Sequence, residues 1–182
     1  DMYANFGMLA KAEQVLKELP VRNIVSWNTL ISGFITHGCG EEALKFFHQM
    51  QFEGASPNLV TFLSCLKACS SIGAISQGEK IYSEIARVGL CETNHSIGNA
   101  LVDMYAKCGL LPQAEEVFMR LGVQDVVTWT ALLAGYSQLG DYENVFHLFA
   151  RMLDDGQKVN LITLNNVLNA CNHAGQVEQG EC

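Results

Sequence analysis

An all-α fold, an α-solenoid of stacked helix-turn-helix units, is predicted by three features of this chain. The segment "DMYANFG" at Asp1 returns as "DMYAKCG" at Asp103, and residues 1–80 match residues 103–182 at about thirty of eighty positions without a gap. The long period divides again, because similar segments begin at Ile24, Leu59, His95, Val126 and Leu161, at steps of 35, 36, 31 and 35 residues. Within a step, apolar residues recur at helical spacing and glycines interrupt them, whereas no stretch alternates as a strand would.

The units follow in order. Residues 1–23 hold the end of one unit. Residues 24–58 form a complete one: Val25, Trp27, Leu30, Ile31 and Phe34 make a first helical face, and Gly38 and Gly40 break it. Ala43, Leu44, Phe46, Phe47 and Met50 make a second face, which Gly54 and Pro57 end. Residues 59–94 and 95–125 are the next two units, 126–160 repeats the pattern of 24–58, and 161–182 begins a further unit. Gly33 and Gly135 sit at matching mid-helix positions, where Gly costs about 1 kcal/mol against Ala; close approach of a neighbouring helix is the expected reason. No hairpin of this size buries its apolar face alone, so stacking into one right-handed solenoid without linkers is expected. The chain opens and closes inside a unit, so a piece of a longer array is also expected.

Bulk composition narrows the function. The chain has 182 residues, 49% hydrophobic and 16% charged, with a net charge of −8. That is enough to bury a sizeable core, and no apolar run reaches the ~20 residues of a membrane helix. The negative charge argues against indiscriminate polyphosphate binding, which needs clustered Lys and Arg. It leaves open a protein that reads bases more than phosphates. The seven cysteines, Cys39, Cys65, Cys69, Cys91, Cys108, Cys171 and Cys182, are odd in number and form no CxxC. Small buried hydrophobes in a reducing compartment are the expected reading. Trp27 and Trp129 lie amid apolar helical neighbours and are expected in the core.

The 35-residue hairpin with "VVTWTALLAG", together with "DMYAKCG", "LKACS" and the 35/36/31 alternation, resembles the pentatricopeptide repeat (PPR) family, and within it the plant PLS subclass. On that resemblance the units are a partial S (1–23), P (24–58), L (59–94), S (95–125), P (126–160) and a partial L (161–182). Tetratricopeptide repeats, which bind peptides, are the structural rival. They keep 34 residues per unit and carry a W-x₂-L-G signature, and this chain has neither.

The resemblance implies a binder of single-stranded organellar RNA, with about one base per repeat. In that family the fifth and last residues of each repeat face the base, and the second clamps it. Carried onto this chain, the pairs are Asn28 with Asn58, Leu63 with Asn94, Asn99 with Asp125, and Thr130 with Asn160. Asn23 and Asn165 are left without partners. The clamps are Val25, Val60, Val127 and Ile162, with Ser96 where an aliphatic residue is usual. A phosphate-contacting lysine is matched by Lys107 alone, since Thr36 and Gln138 hold the position in the two P units.

A carboxylate at the last position only accepts, which suits the ring N–H of uracil or guanine. An amide there also donates, which suits the bare ring nitrogen of cytosine or adenine. With the family's preferences at the fifth position, the implied target is 5′-C-N-U-A-3′. The other reading of these Asn and Thr residues is helix capping.

No catalytic constellation is expected. None of His37, His48, His95, His147 and His173 begins an HxE, so with no CxxC a zinc deaminase site is missing. The acidic pairs Glu41–Glu42, Glu115–Glu116 and Asp154–Asp155 are expected on solvated helix faces. The expectation is therefore a non-enzymatic targeting module without cofactor or metal, and away from membranes. It would serve C-to-U editing or other transcript processing in a mitochondrion or chloroplast. Its partners would be RNA, an editing deaminase in cis or in trans, and multiple-organellar-editing-factor proteins. The alternative is a helical scaffold that docks editing cofactors and makes little RNA contact.

Overall fold

The computed structural model describes residues 3, 6–90 and 94–180, with the side chains of 174–180 excepted. Among these there are ten α-helices and no strand. They are α1 (Leu9–Glu18), α2 (Ile24–Thr36), α3 (Gly40–Phe52), α4 (Leu59–Ile72), α5 (Ile75–Arg87), α6 (His95–Lys107), α7 (Leu111–Arg120), α8 (Val126–Gln138), α9 (Tyr142–Asp154) and α10 (Leu161–Gly180). Among the described residues, no helix is long and apolar enough to cross a membrane. The chain divides into two compact parts, residues 1–100 and 101–182, although the sequence shows no linker there and the division falls within α6.

In the first part, α2 and α3 form a hairpin, and α2 also packs against α4, the first helix of the next hairpin. The α4–α5 hairpin repeats the arrangement. The glycines set the turns. Gly38 after α2 adopts φ 77°, a left-handed conformation that L side chains resist, and Gly38 N–H donates to Ile35 O at 3.0 Å. The apolar faces then meet: Trp27, Ile31, Met50, Cys65, Leu66 and Ile85 are all completely or almost completely buried. Arg22 Nη1 donates to both Glu53 oxygens, at 2.7 and 2.6 Å, and ties the end of α3 to the segment entering α2. That bond, with one from Gln49, holds the Glu53 carboxyl below its usual range.

The second part uses the same scheme. Helix α8 pairs with α9 in a hairpin and with α10 beside it, and α7 packs on α8. Trp129 is fully buried, edge-on to Phe118 with centroids 4.7 Å apart, and the Arg151 guanidinium lies 5.6 Å from its ring centroid. Both tryptophans are thus core residues. Tyr142 stacks on His173 at 5.1 Å and joins α9 to α10. Gly135 makes the close approach its position implies. A Cβ there would lie 2.9 Å from Ala106 Cβ and 2.8 Å from Leu111 Cδ2.

Two features depart from the sequence pattern. Helix α4 ends at Gly73 with φ 68°, but α10 continues through Gly175, its counterpart. Ile75, Ile81 and Ile85 give α5 an apolar face that folds back on α4. The cysteines are also mixed. Cys65 and Cys69 are buried, Cys39 and Cys108 are half-buried and Cys171 is exposed, while Cys91 and Cys182 lie outside the described residues. The acidic pairs lie on exposed or half-buried faces, where Glu115 accepts from Tyr136 Oη at 2.9 Å and Glu116 pairs with Arg120.

Two outcomes follow from this packing. Gly135→Ala gains about 1 kcal/mol in helix propensity, but overpacking costs about 1–3 kcal/mol where a fixed backbone neighbour cannot yield. The variant should therefore unfold at a lower temperature than the parent by thermal melting. Burial pushes the Cys65 thiol up, so almost no thiolate forms at pH 8. Alkylation followed by mass spectrometry should modify Cys171 within minutes, and Cys65 only when the protein unfolds.

Candidate nucleic-acid interface

Helices α2, α4, α6, α8 and α10 begin at Ile24, Leu59, His95, Val126 and Leu161, one residue after Asn23, Asn58, Asn94, Asp125 and Asn160. The first backbone N–H groups of a helix have no partner within it. Each of these five side chains supplies one. Asn23 Oδ1 accepts from Ser26 N at 3.0 Å, Asn58 Oδ1 from Thr61 N at 3.1 Å, and Asn94 Oδ1 from Ser96 N at 3.0 Å. Asp125 Oδ1 accepts from Val127 N and Thr128 N, both at 3.0 Å, and Asn160 Oδ1 from Thr163 N at 2.8 Å. The last-position residues are therefore helix caps.

Capping also fixes how each side chain is turned. A backbone N–H can only donate, so the side-chain atom facing it must be the oxygen. The cap thereby fixes which end of the amide points away from the helix. At Asn58 and Asn160 the Nδ2 group is left without a partner among the described residues.

The second residue of each helix faces outward. Val25 is 64% exposed, Val60 52%, Val127 52% and Ile162 58%. Ser96, in α6, is exposed as well. In the first part, Val25 and Val60 flank an open concavity of about 550 Å³ between α2 and α4, and Asn28, Asn58 and Thr36 also line it. Here the fifth-position residue meets the cap directly: Asn28 Nδ2 donates to Asn58 Oδ1 at 3.1 Å.

The other fifth positions differ. Leu63 is half-buried and carries no polar group, and Asn99 is half-buried in α6. Asn99 and Asp125 lie in different compact parts. Thr130 is only 8% exposed, and its hydroxyl lies 2.8 Å from Val126 O and 2.9 Å from Val127 O, so its one proton stays within its own helix. Asn165 is exposed on α10. Lys107 is exposed, but its Nζ lies 2.8 Å from Asp103 Oδ1, one helical turn back.

The residues that sequence reasoning missed are the hydroxyls at the third helical position. Thr61, Thr128 and Thr163 are fully buried. Thr61 Oγ1 reaches both Asn28 Oδ1 and Asn58 Oδ1, and Thr163 Oγ1 reaches Asn160 Oδ1. Their signal was present in the chain, as the recurring "NIVS", "NLVT", "DVVT" and "NLIT" at helix entry.

Comparison with known proteins gives a consistent answer. A model of the PPR repeat family matches residues 22–71 and 124–173, and a second PPR repeat model matches 99–124. The chloroplastic pentatricopeptide repeat-containing protein CRR2 of Arabidopsis thaliana is 40% identical over the whole chain. A mitochondrial pentatricopeptide repeat-containing protein of the same plant is 36% identical over 99% of it. The chain spans only 28% and 26% of the lengths of these two relatives. Among solved structures, PPR10 in complex with an 18-nt psaJ RNA element superposes with a TM-score of 0.81 at 24% identity, covering 92% of this chain and 25% of that one. The PPR domain of A. thaliana protein-only RNase P 1, in complex with tRNA, gives 0.66 at 16% identity over 94% of both chains. The fold is thus an all-α helical-repeat solenoid, and the chain belongs to the pentatricopeptide repeat family.

Proposed function

We propose that this chain is a specificity module that binds single-stranded RNA, with one base per repeat. The repeats are those of the PLS subclass: partial S (1–23), P (24–58), L (59–94), S (95–125), P (126–160) and partial L (161–182). The observation that carries the reading is the concavity between α2 and α4, where two exposed valines flank a hydrogen-bonded Asn28–Asn58 pair. Exposed aliphatic residues at one repeated register make a surface suited to flat apolar faces. Polar groups with fixed orientation between them suit the edge of a base. The RNA complexes solved for PPR10 and for the RNase P domain support the same role.

The reader pairs give the target 5′-C-N-U-A-3′. Asn28 with Asn58 selects cytosine and tolerates uracil, Asn99 with Asp125 selects uracil, and Thr130 with Asn160 selects adenine. The Leu63–Asn94 pair discriminates poorly, since Leu63 offers no hydrogen bond. Lys107 is the phosphate contact. The module would bring C-to-U editing or other processing to a transcript, and the chloroplastic and mitochondrial relatives support an organellar place for it. An editing deaminase, in cis or in trans, and multiple-organellar-editing-factor proteins would be its partners. The second reading, a protein-docking scaffold, draws on the net charge of −8 and on Phe52, 93% exposed at the end of α3.

Fluorescence anisotropy with 12-nucleotide RNAs at low salt tests the proposal. The 5′-C-N-U-A-3′ RNA should bind more tightly than RNAs with a single wrong base, each costing about 1–3 kcal/mol. Asn160→Asp exchanges a donor for an acceptor while keeping the cap oxygen, so preference at the fourth base should move from adenine to guanine. Binding of every RNA equally, or of none, in both this chain and one extended by three repeats at each end, would favour the scaffold. Val60→Ala should weaken binding to all RNAs alike. It should leave the melting temperature almost unchanged, because an exposed substitution alters stability by only about 0.5 kcal/mol.

A further inference from the structure

Thr61 opens the repeat after the Asn28–Asn58 pair and lies beneath both side chains, fully buried. Its Oγ1 is 2.7 Å from Asn28 Oδ1, 3.0 Å from Asn58 Oδ1 and 3.1 Å from Asn58 N. A hydroxyl has one proton to give and two lone pairs to receive. Asn58 N–H can only donate, so it occupies one lone pair. Asn58 Oδ1 already accepts from Thr61 N and from Asn28 Nδ2, both at 3.1 Å, which fills its two lone pairs. The proton of Thr61 therefore goes to Asn28 Oδ1, which is also its shortest contact.

The network closes. Thr61 holds the Asn28 oxygen inward, Asn28 gives one N–H to Asn58, and Asn58 caps α4. What remains is one N–H of Asn28 and both N–H groups of Asn58, while the Asn58 oxygen is filled and the Asn28 oxygen is held against Thr61. We propose that Thr61 is a specificity-determining positioning residue, which makes the Asn28–Asn58 pair a donor-only surface and so sets cytosine above uracil. This rests on the RNA-reading function proposed above and deepens it. Cytosine offers two adjacent acceptors, N3 and O2, to such a surface. Uracil carries a proton on N3, which would meet a second donor.

The preference at this base is therefore shared among three residues, one of which never touches RNA. The other P repeat lacks the link. Thr163 bonds the cap Asn160 at 3.0 Å, but Thr130 keeps its proton on the carbonyls of its own helix. At the L-to-S junction the third residue is Ile97, which has no hydroxyl.

Thr61→Val keeps the shape and removes the hydroxyl. The Asn28 amide is then free to turn over and offer its oxygen. The C-to-U affinity ratio at the first base, read by anisotropy with RNAs that differ only there, should fall about tenfold, the loss of one hydrogen-bond discrimination of roughly 1.4 kcal/mol. Uracil RNA should bind as well as before. Thr61→Ser should keep the ratio, and Thr163→Val should weaken its cap without changing the ratio at the first base. A Thr61→Val protein that retains its cytosine preference overturns the proposal and leaves the RNA-reading function standing. A parent protein that binds no RNA overturns both. One measurement needs no RNA: the Asn28 side-chain amide proton given to Asn58 should be slowed in exchange by NMR in the parent and fast in Thr61→Val. Equal exchange in the two would overturn the positioning role regardless of binding.

Discussion

The hydrogen bond that caps each first helix organises this molecule. The unpartnered N–H groups at a helix start need an acceptor, and in five successive repeats an Asn or Asp provides it. The bond ends one repeat and starts the next, so it sets the register of the array. It also fixes the orientation of the capping side chain. An Asn in this place must turn its oxygen to the helix and its amide away. The same residue thus does a folding task with one atom and leaves the other for a ligand. Capping bonds of this kind contribute about 1 kcal/mol each, and the choice between Asn and Asp changes that contribution little. Stability leaves the choice open, so recognition is free to use it.

The packing behind the caps keeps their residues in line. Helices α2 and α4 lie side by side in the first part, as α8 and α10 do in the second. Their second residues therefore face the same side in each part, while Trp27 and Trp129 anchor the opposite faces in the core. Small residues make the approach possible. Gly135 lies against Ala106 with no room for a side chain, and the helix accepts the propensity cost of Gly in exchange for that contact. In a stacked array each hairpin touches only its neighbours. The division of the chain into two compact parts within a helix, with no sequence mark, is in keeping with such local cohesion.

The sequence made the regular features legible. Periodicity of apolar residues reports which face of a helix is buried, so the ends of α2 and α3, the turn at Gly38 and the core position of Trp27 could all be read from residues 24–58. The cap residues could be named but not assigned, because capping and base contact demand the same residue types. Two kinds of feature stayed hidden. One was the bonding of Thr61 to Asn28, across 33 positions, which depends on how two helices sit side by side. Its only trace was the repeated Asn or Asp followed three residues later by Ser or Thr. The other was position-specific burial. Cys69 and Cys171 match in the repeat, yet Cys69 is buried, on a helix against which α5 packs, and Cys171 is exposed.

On the proposed reading, this chain relies on bases more than on phosphates. Its net charge is −8, and Lys107 is already paired with Asp103. An exposed ion pair one turn apart is worth only about 0.3–0.5 kcal/mol, so a phosphate could displace the carboxylate. The gain in attraction would be small. Contacts that do not depend on salt must then supply most of the binding: aliphatic surfaces against base faces, and amides against base edges. Each is weak alone. Linked in series on one scaffold, however, each engaged repeat holds the next base at high effective concentration. Affinity then grows with the number of repeats, while selectivity is set repeat by repeat by which side-chain atoms the caps leave outward. A protein built this way gains reach by adding hairpins and changes target by exchanging single atoms at its caps.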